Sequence, residues 1–226
     1  CFFMSQQRFP ATTEYAKLAG ALASPGAVAL FGLPAAGRAQ AYAALCRTLG
    51  RPLCIVTPGE AEATRFAADL NTLGVPAAGF PARDYVRVLG VLGDLVGGRL
   101  QAVCVPCEGL TQYTTPKEEF CRNTRTLRPG DAIPRGELTA ALYGAGYIRR
   151  DRVDGPGQFS IRGDIVDIYA PDMKAPARIE FWDDEIDSLH SFDLATQRRE
   201  DALEKLYLSP AREVLFGAPA DAAALL

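Results

Sequence analysis

The spacing of hydrophobic positions changes along the chain and divides the sequence into two parts. In the first part, continuous apolar runs alternate with segments of helical periodicity. The apolar runs cover 27–31, 52–57 and 100–105, and the helical segments cover 11–24, 39–49, 60–73 and 84–98, the last interrupted by Gly90 and Gly93. Buried strands that alternate with helices are typical of a parallel sheet covered on both faces. The pattern therefore predicts an α/β fold for this part.

In the second part, from residue 146 onwards, the hydrophobic period changes to two. The alternating runs are separated by turn-forming residues such as Gly155-Pro156-Gly157 and Asp183-Asp184. Strict alternation predicts strands that bury one face only. A helix is predicted before these strands over 134–143, and a further strand follows them over 203–208. We therefore expect a small α+β domain with a mainly antiparallel sheet.

Residues 111–128 lie between the two parts and mix basic and acidic side chains with few aromatic residues. This composition favours a solvated linker over a nucleic-acid-binding stripe. The predicted domains are 1–120, 121–210 and a connector over 211–226 that returns towards the first domain. The alanine-rich end of the connector predicts an uncapped helix, as expected of a fragment excised from a longer chain.

Composition narrows the function classes. Hydrophobic residues make up 48% of the 226 residues, and 24 Lys and Arg against 27 Asp and Glu give a net charge of -3, so no overall positive field attracts nucleic acid. The sequence contains no run of eighteen apolar residues and no signal-peptide pattern. These features predict a cytoplasmic, monomeric chain with no membrane partner.

The six cysteines are expected to be reduced thiols. Cys104 and Cys107 have the spacing of a metal or redox pair. However, there is no second pair of this kind, His190 is distant in the sequence, and only Cys121 is near. Because structural zinc takes four ligands, packing at a strand end is the favoured interpretation, and a metal or redox site is the alternative. We expect no metal and no cofactor.

Residues 32–39 keep the frame of a phosphate-binding loop, GxxxxGK[ST], with Gly32 and Gly37 in register. The loop needs a lysine for the terminal phosphates and a hydroxyl for magnesium. Arg38 and Ala39 occupy those two positions, and Pro34 removes a backbone donor. No acidic box of the DExx type occurs before residue 150. The loop is therefore predicted to be degenerate and without catalytic residues, and an enzyme that uses Arg38 is the alternative.

A second candidate site lies on the alternating run 177–182. Alternation directs Ala177, Ile179 and Phe181 to one face and Arg178, Glu180 and Trp182 to the other. Arginine and tryptophan on a solvent face are typical of the energetic centre of a protein–protein interface, and Arg162 could extend it. The alternative is that Trp182 folds back into a core and both arginines form local ion pairs.

Two segments of this sheet carry a family resemblance: GPGQFSIRGDIVDIYAP at 155–171 and RIEFWDDEIDSLHSFDLATQR at 178–198. They resemble the second domain of bacterial transcription-repair coupling factors and, more loosely, the excision-repair helicase UvrB. The resemblance implies a platform that binds the damage-recognition ATPase UvrA. It places the contacts at Arg162, Arg178 and Trp182. At the position of Trp182, relatives usually have phenylalanine.

The same resemblance implies that the first part is a vestigial helicase-like domain without a nucleotide site. UvrB's DNA-clamping hairpin has no counterpart here, which favours the coupling factor over UvrB. The parent protein would be an ATP-dependent DNA translocase that displaces RNA polymerase, with polymerase and DNA bound by other domains. In the intact parent, a distant domain could mask the UvrA-binding face. One alternative is a fragment of a UvrB-type ATP-dependent helicase subunit. Another is a domain that serves only as packing, for which Trp182 should be buried.

Overall fold

The structure of the protein, a computed structural model, describes residues 12–213, with Ala35 and Ala36 described by their backbone only. The described residues form two compact units. The first extends up to Ala82 and includes Gly97–Gln112, and the second comprises Arg83–Val96 and the residues from Tyr113 onwards. The predicted boundaries at 120 and 210 stay predictions.

The first unit is an α/β unit. Its helices are α1 (Thr13–Leu22), α2 (Ala35–Leu49) and α3 (Glu60–Thr72), and its strands are β1 (Leu53–Thr57), β2 (Ala77–Gly79) and β3 (Ala102–Pro106). The side chain of Thr12 caps α1 by accepting a hydrogen bond from the amide of Tyr15 at 3.2 Å. Gly50 ends α2 in the left-handed conformation, φ 61°, which glycine adopts without steric cost.

The three strands form a parallel sheet in the order β1–β3–β2, so the predicted parallel sheet is confirmed. Leu70 of α3 packs in the same core cluster as Ile55 and Cys104 of the sheet. Every residue of β3 is buried, whereas β1 exposes Cys54 and Val56. The prediction that the sheet is covered on both faces is therefore wrong at β1.

The strand predicted over 27–31 does not form. Residues 27–31 have no regular structure, and Val28, Leu30 and Phe31 are 42%, 53% and 88% exposed. An apolar run becomes a strand only when its backbone amides and carbonyls pair with a neighbour. Within residues 12–213 no strand of the sheet pairs with this run.

The second unit is the α+β unit. Its helices are α4 (Tyr85–Val96), α5 (Lys117–Arg122) and α6 (Arg135–Gly144). Its strands are β4 (Arg125–Leu127), β5 (Ile148–Arg149), β6 (Gln158–Arg162), β7 (Ile165–Tyr169), β8 (Ala177–Trp182), β9 (Glu185–Phe192), β10 (Arg199–Ala202) and β11 (Leu206–Leu208).

Six of these strands form one sheet in the order β10–β9–β8–β7–β6–β5. All its neighbours are antiparallel except β5 and β6, which confirms a mainly antiparallel sheet. Leu138 and Leu142 of α6 lie in the core cluster of this unit with Phe159, Ile168 and Ile179 from the sheet. One face of the sheet is thereby buried.

Two predictions about short segments in this unit are wrong. Residues 111–128 are not simply a solvated linker, because they contain α5, with Phe120 1% exposed, and β4. The strand predicted over 203–208 shortens to β11, which pairs with β4 instead of the large sheet. Burial of Phe120 and pairing of β4 override the polar local composition of 111–128, and pairing with β4 sets the length of β11.

Helix α4 is continuous through Gly90 and Gly93, so the predicted interruption is wrong. A Cβ at Gly90 would lie 2.8 Å from the carbonyl oxygen of Pro171, and one at Gly93 would lie 3.1 Å from the Cβ of Asp172. The two glycines therefore permit a close approach of backbone to helix.

Among the described residues, no helix is both long enough and apolar enough to span a membrane.

Candidate functional site

The candidate site lies on the face of the large sheet that points away from the core of the second unit. Strand register places Asp167 of β7 directly opposite Arg178 of β8, and Ile165 opposite Glu180. Arg162 of β6 lies opposite Ile165 on the other side. We call this surface the outer face and define it by four residues: Arg162, Asp167, Arg178 and Trp182.

A single carboxylate holds both arginines of the outer face. Nε and Nη2 of Arg178 donate to the two oxygens of Asp167 at 2.7 and 3.0 Å. Nη2 of Arg162 donates to Oδ2 of the same carboxylate at 2.6 Å. The side chain of Asp167 is only 1% exposed. Its hydrogen bond raises the pKa of Arg178 above the ordinary value, so this guanidinium stays charged.

The two arginines differ in how far they reach solvent. The side chain of Arg178 is 15% exposed, and its guanidinium lies 4.8 Å from the centre of the Phe192 ring. The side chain of Arg162 is 50% exposed. The interpretation that both arginines make local ion pairs is therefore confirmed, but Arg162 still presents half of its surface to solvent.

Trp182 ends β8 on the same face and is 79% exposed. The alternative in which it folds back into a core is therefore wrong. Asp183 follows it in the left-handed conformation, φ 57°, and turns the chain into β9. The register shifts between Glu180 and Phe181, as at a β-bulge, a feature that re-aims nearby side chains.

Two other acidic groups around the outer face, Glu180 and Asp164, have their own partners. Arg199 donates to Glu180 at 2.7 Å, and Ser188 donates to the same carboxylate at 3.0 Å. The turn after Arg162 is held by Arg135 of α6, which donates to the carbonyl of Gly163 at 3.1 Å and to the carboxylate of Asp164. These ion pairs surround two side chains that are open to solvent, Trp182 and the half-exposed Arg162.

The predicted phosphate loop has a different local structure from its sequence frame. Helix α2 begins at Ala35, earlier than predicted, and the amide of Arg38 donates to the carbonyl of Pro34 at 3.0 Å. Ala39, at the position of the magnesium hydroxyl, is 3% exposed in the core. Gly32 has a φ of 81°, and a Cβ at Gly37 would lie 3.2 Å from the ring of Pro34.

A cavity of about 110 Å³ lies beside this loop at the carboxyl end of β1. Arg38 and Arg65 line it together with the acidic side chains of Glu62 and Asp69. Nucleotide-sized ligands need pockets of roughly 300 Å³ or more. This cavity is therefore small for a nucleotide and carries charges of both signs. A second cavity of about 380 Å³ lies beside Gly32, Leu33 and Arg38, and its lining is mainly apolar.

Cys104 and Cys107 are separated by the end of β3. Cys104 is buried, and burial first, then the neighbouring thiols of Cys54 and Cys46, raise its pKa to about 11. Cys107 and Cys121 are exposed free thiols. Within residues 12–213 no three histidine, cysteine or acidic side chains are grouped as metal ligands.

The sequence interpretation missed Asp167. Its signal was an aspartate at the centre of a predicted strand, where aspartate is disfavoured, on the face that alternation shares with Ile165 and Tyr169. Such a residue needs partners if it is buried. Which arginines supply them depends on the register of three strands.

Comparison with known families identifies the unit that carries the outer face. The model described as "UvrB interaction domain" matches residues 126–214. These residues are similar to that family, and they include all four residues of the outer face.

Curated relatives match a longer part of the chain. A transcription-repair-coupling factor from Bacillus subtilis is 28% identical over 202 residues, or 83% of this chain and 17% of the relative. One from Myxococcus xanthus is 32% identical over 207 residues, 82% of this chain and 17% of the relative. One from Staphylococcus aureus is 37% identical over 125 residues, 55% of this chain and 11% of the relative. These matches confirm the resemblance to transcription-repair coupling factors, and the chain spans about a sixth or less of their length.

Proposed function

We propose that the chain is a non-catalytic recruitment module of a transcription-repair coupling factor and that its outer face binds UvrA. One observation carries the proposal: Trp182, 79% exposed, lies on the same face as the half-exposed Arg162 inside a UvrB interaction domain. Tryptophan and arginine are among the residues most enriched at the energetic centre of interfaces. UvrA is the partner that the resemblance to transcription-repair coupling factors implies.

The chemistry of the face fits a protein partner. The indole supplies a rigid apolar surface, and Arg162 supplies charge-assisted hydrogen bonds. Nε and Nη2 of Arg178 already donate to Asp167, so Arg178 supports the contact by its packing and its positive charge. Truncating a central anchor of this kind costs about 2 kcal/mol or more, which is roughly thirtyfold in affinity.

The wider role of the module follows from the kind of protein that it resembles. We propose that the longer protein is an ATP-dependent DNA translocase that displaces stalled RNA polymerase. Its other domains contact polymerase and DNA, while the module brings excision repair to the site through UvrA. The names of the relatives and the coverage of 11–17% of their lengths support this division of roles.

The test is a titration of the 226-residue chain against purified UvrA at two salt concentrations. We expect micromolar or tighter binding that weakens with salt, because arginine contributes to it. Arg162→Ala, Arg178→Ala and Trp182→Ala should each weaken binding. Phe31→Ala and Arg65→Ala are the matched controls, since both side chains are exposed in the first unit. A folded wild-type chain that does not bind UvrA contradicts the proposal.

The proposal also holds that the first unit does not use a nucleotide. Its support is the loss of the lysine and hydroxyl at Arg38 and Ala39 and the early start of α2. A UvrB-type helicase subunit should bind ATP with magnesium, and a ligand at one hundred times its dissociation constant stabilises a protein by about 2.7 kcal/mol. We expect ATP and magnesium to leave the melting temperature unchanged. A clear upward shift favours the helicase alternative.

A further inference from the structure

The two arginines of the outer face are brought together by one buried acid. Arg162 and Arg178 come from β6 and β8, with β7 between them. Both donate to Asp167, whose side chain is 1% exposed. Two guanidinium groups bonded to one carboxylate repel each other, and the negative charge of the carboxylate offsets that repulsion. The carboxylate therefore neutralises one charge and defines where both planar groups lie.

We propose that Asp167 is the positioning residue of the UvrA-binding face, acting through Arg162 and Arg178 without touching the partner itself. This inference rests on the proposed function. A buried carboxylate cannot reach a partner's surface, but it immobilises the arginine that can. An arginine held in advance loses less conformational freedom on binding than a freely rotating one.

The neighbouring acids do not share this role. Glu180 pairs with Arg199, and Asp164 pairs with Arg135. The Glu180 and Arg199 side chains are 34% and 46% exposed, so their pair lies at the rim of the face. Asp167 is thus the acid that both interface arginines share, and Glu180 is a natural reference for it.

The proposal predicts the sign of a charge change. If the arginines act only as positive charge, removing a nearby negative charge strengthens the attraction for an acidic partner. If Asp167 positions them, the same removal weakens binding although the net positive charge of the face increases. Asp167→Asn therefore separates the two accounts by the direction of its effect.

The experiment compares Asp167→Asn with Glu180→Gln in the 226-residue chain, by titration against purified UvrA. Both substitutions are isosteric and remove one negative charge from the same side of the sheet, Asp167→Asn within the outer face and Glu180→Gln at its rim. We expect Asp167→Asn to weaken binding about tenfold and Glu180→Gln to change it less than about twofold. Equal effects of the two variants, or tighter binding by Asp167→Asn, overturn the proposal.

Two further measurements keep the inference testable if Asp167→Asn does not fold, which circular dichroism and a melting curve will show. Arg162→Lys keeps the charge at a half-exposed position but replaces the fork by a flexible point charge. Positioning predicts weaker binding by at least about fivefold, whereas a pure charge effect leaves affinity unchanged and overturns the proposal. In an Arg162→Ala background, Asp167→Asn should have less effect than in the wild type.

The outcomes also separate this inference from the function on which it rests. If the folded wild type does not bind UvrA, the proposed function fails. If Arg162→Ala and Trp182→Ala lose binding while Asp167→Asn and Arg162→Lys retain it, the function stands and the positioning role of Asp167 is wrong.

Discussion

Removing Arg178 should destabilise the second unit far more than removing another arginine of the same sheet. Arg178→Ala leaves Asp167, 1% exposed, with Arg162 as its remaining ion-pair partner. Breaking a buried pair costs about 3–5 kcal/mol, and we take the lower end because Arg162 still bonds at 2.6 Å. Loss of the contact with the Phe192 ring adds about 0.5–1 kcal/mol. The expected cost is about 3.5–4 kcal/mol.

Arg199→Ala is the matched control. Arg199 also pairs with a carboxylate, Glu180, but the two side chains are 46% and 34% exposed. Exposed pairs contribute about 0–1 kcal/mol, so this variant should remain close to the wild type.

The free energy of unfolding is measured by urea titration with far-ultraviolet circular dichroism. Hydrogen exchange of the β7 and β8 amides then assigns the loss of stability to the second unit. Equal costs for Arg178→Ala and Arg199→Ala would show that the Asp167 carboxylate is not dependent on its arginines, and the reasoning about the outer face would be refuted. The double variant Asp167→Asn with Arg178→Met should recover part of the stability lost in Arg178→Ala, because it removes the uncompensated charge.

Three further predictions concern single positions. Gly90→Ala should destabilise the second unit by roughly 1–3 kcal/mol, because its Cβ would lie 2.8 Å from the carbonyl oxygen of Pro171. Gly136→Ala in helix α6 should stabilise the unit by about 0.5–1 kcal/mol, because its Cβ would have no neighbour within 4 Å. Thermal melts of the two variants measure both effects. In the folded protein at pH 8, iodoacetamide should label Cys107 and leave Cys104 unlabelled, because burial and neighbouring thiols raise the pKa of Cys104 to about 11; peptide mass spectrometry would detect the opposite order. Hydrogen bonds from the backbone amide and then the hydroxyl of Thr196 hold the pKa of Asp193 below its ordinary value. The stability that Asp193 contributes is therefore present above the ordinary pKa and is lost as pH falls through the lowered pKa. A nuclear magnetic resonance titration of Asp193 with an ordinary midpoint contradicts this.

The strands of the large sheet could be predicted from local pattern because period-two alternation reflects one buried face. Residues 177–182 alternate as buried and less buried positions, as predicted. The change at the phosphate loop could also be read directly, since Arg38 and Ala39 are covalent facts of the chain. Gly90 and Gly93 were misjudged because their reason is a segment about eighty residues later in the chain. The run 27–31 was misjudged because strand formation needs a partner.

For the outer face, the sequence by itself determined which side chains are present and which of them share a face of β8. Only the tertiary structure decided that Trp182 is exposed, that Arg178 is nearly covered and that Asp167 joins two strands' arginines. Alternation depends on neighbours in the chain and can be read locally. Exposure and ion pairing depend on the register of strands that meet only after folding, and a shift of one residue would send Asp167 to the opposite face.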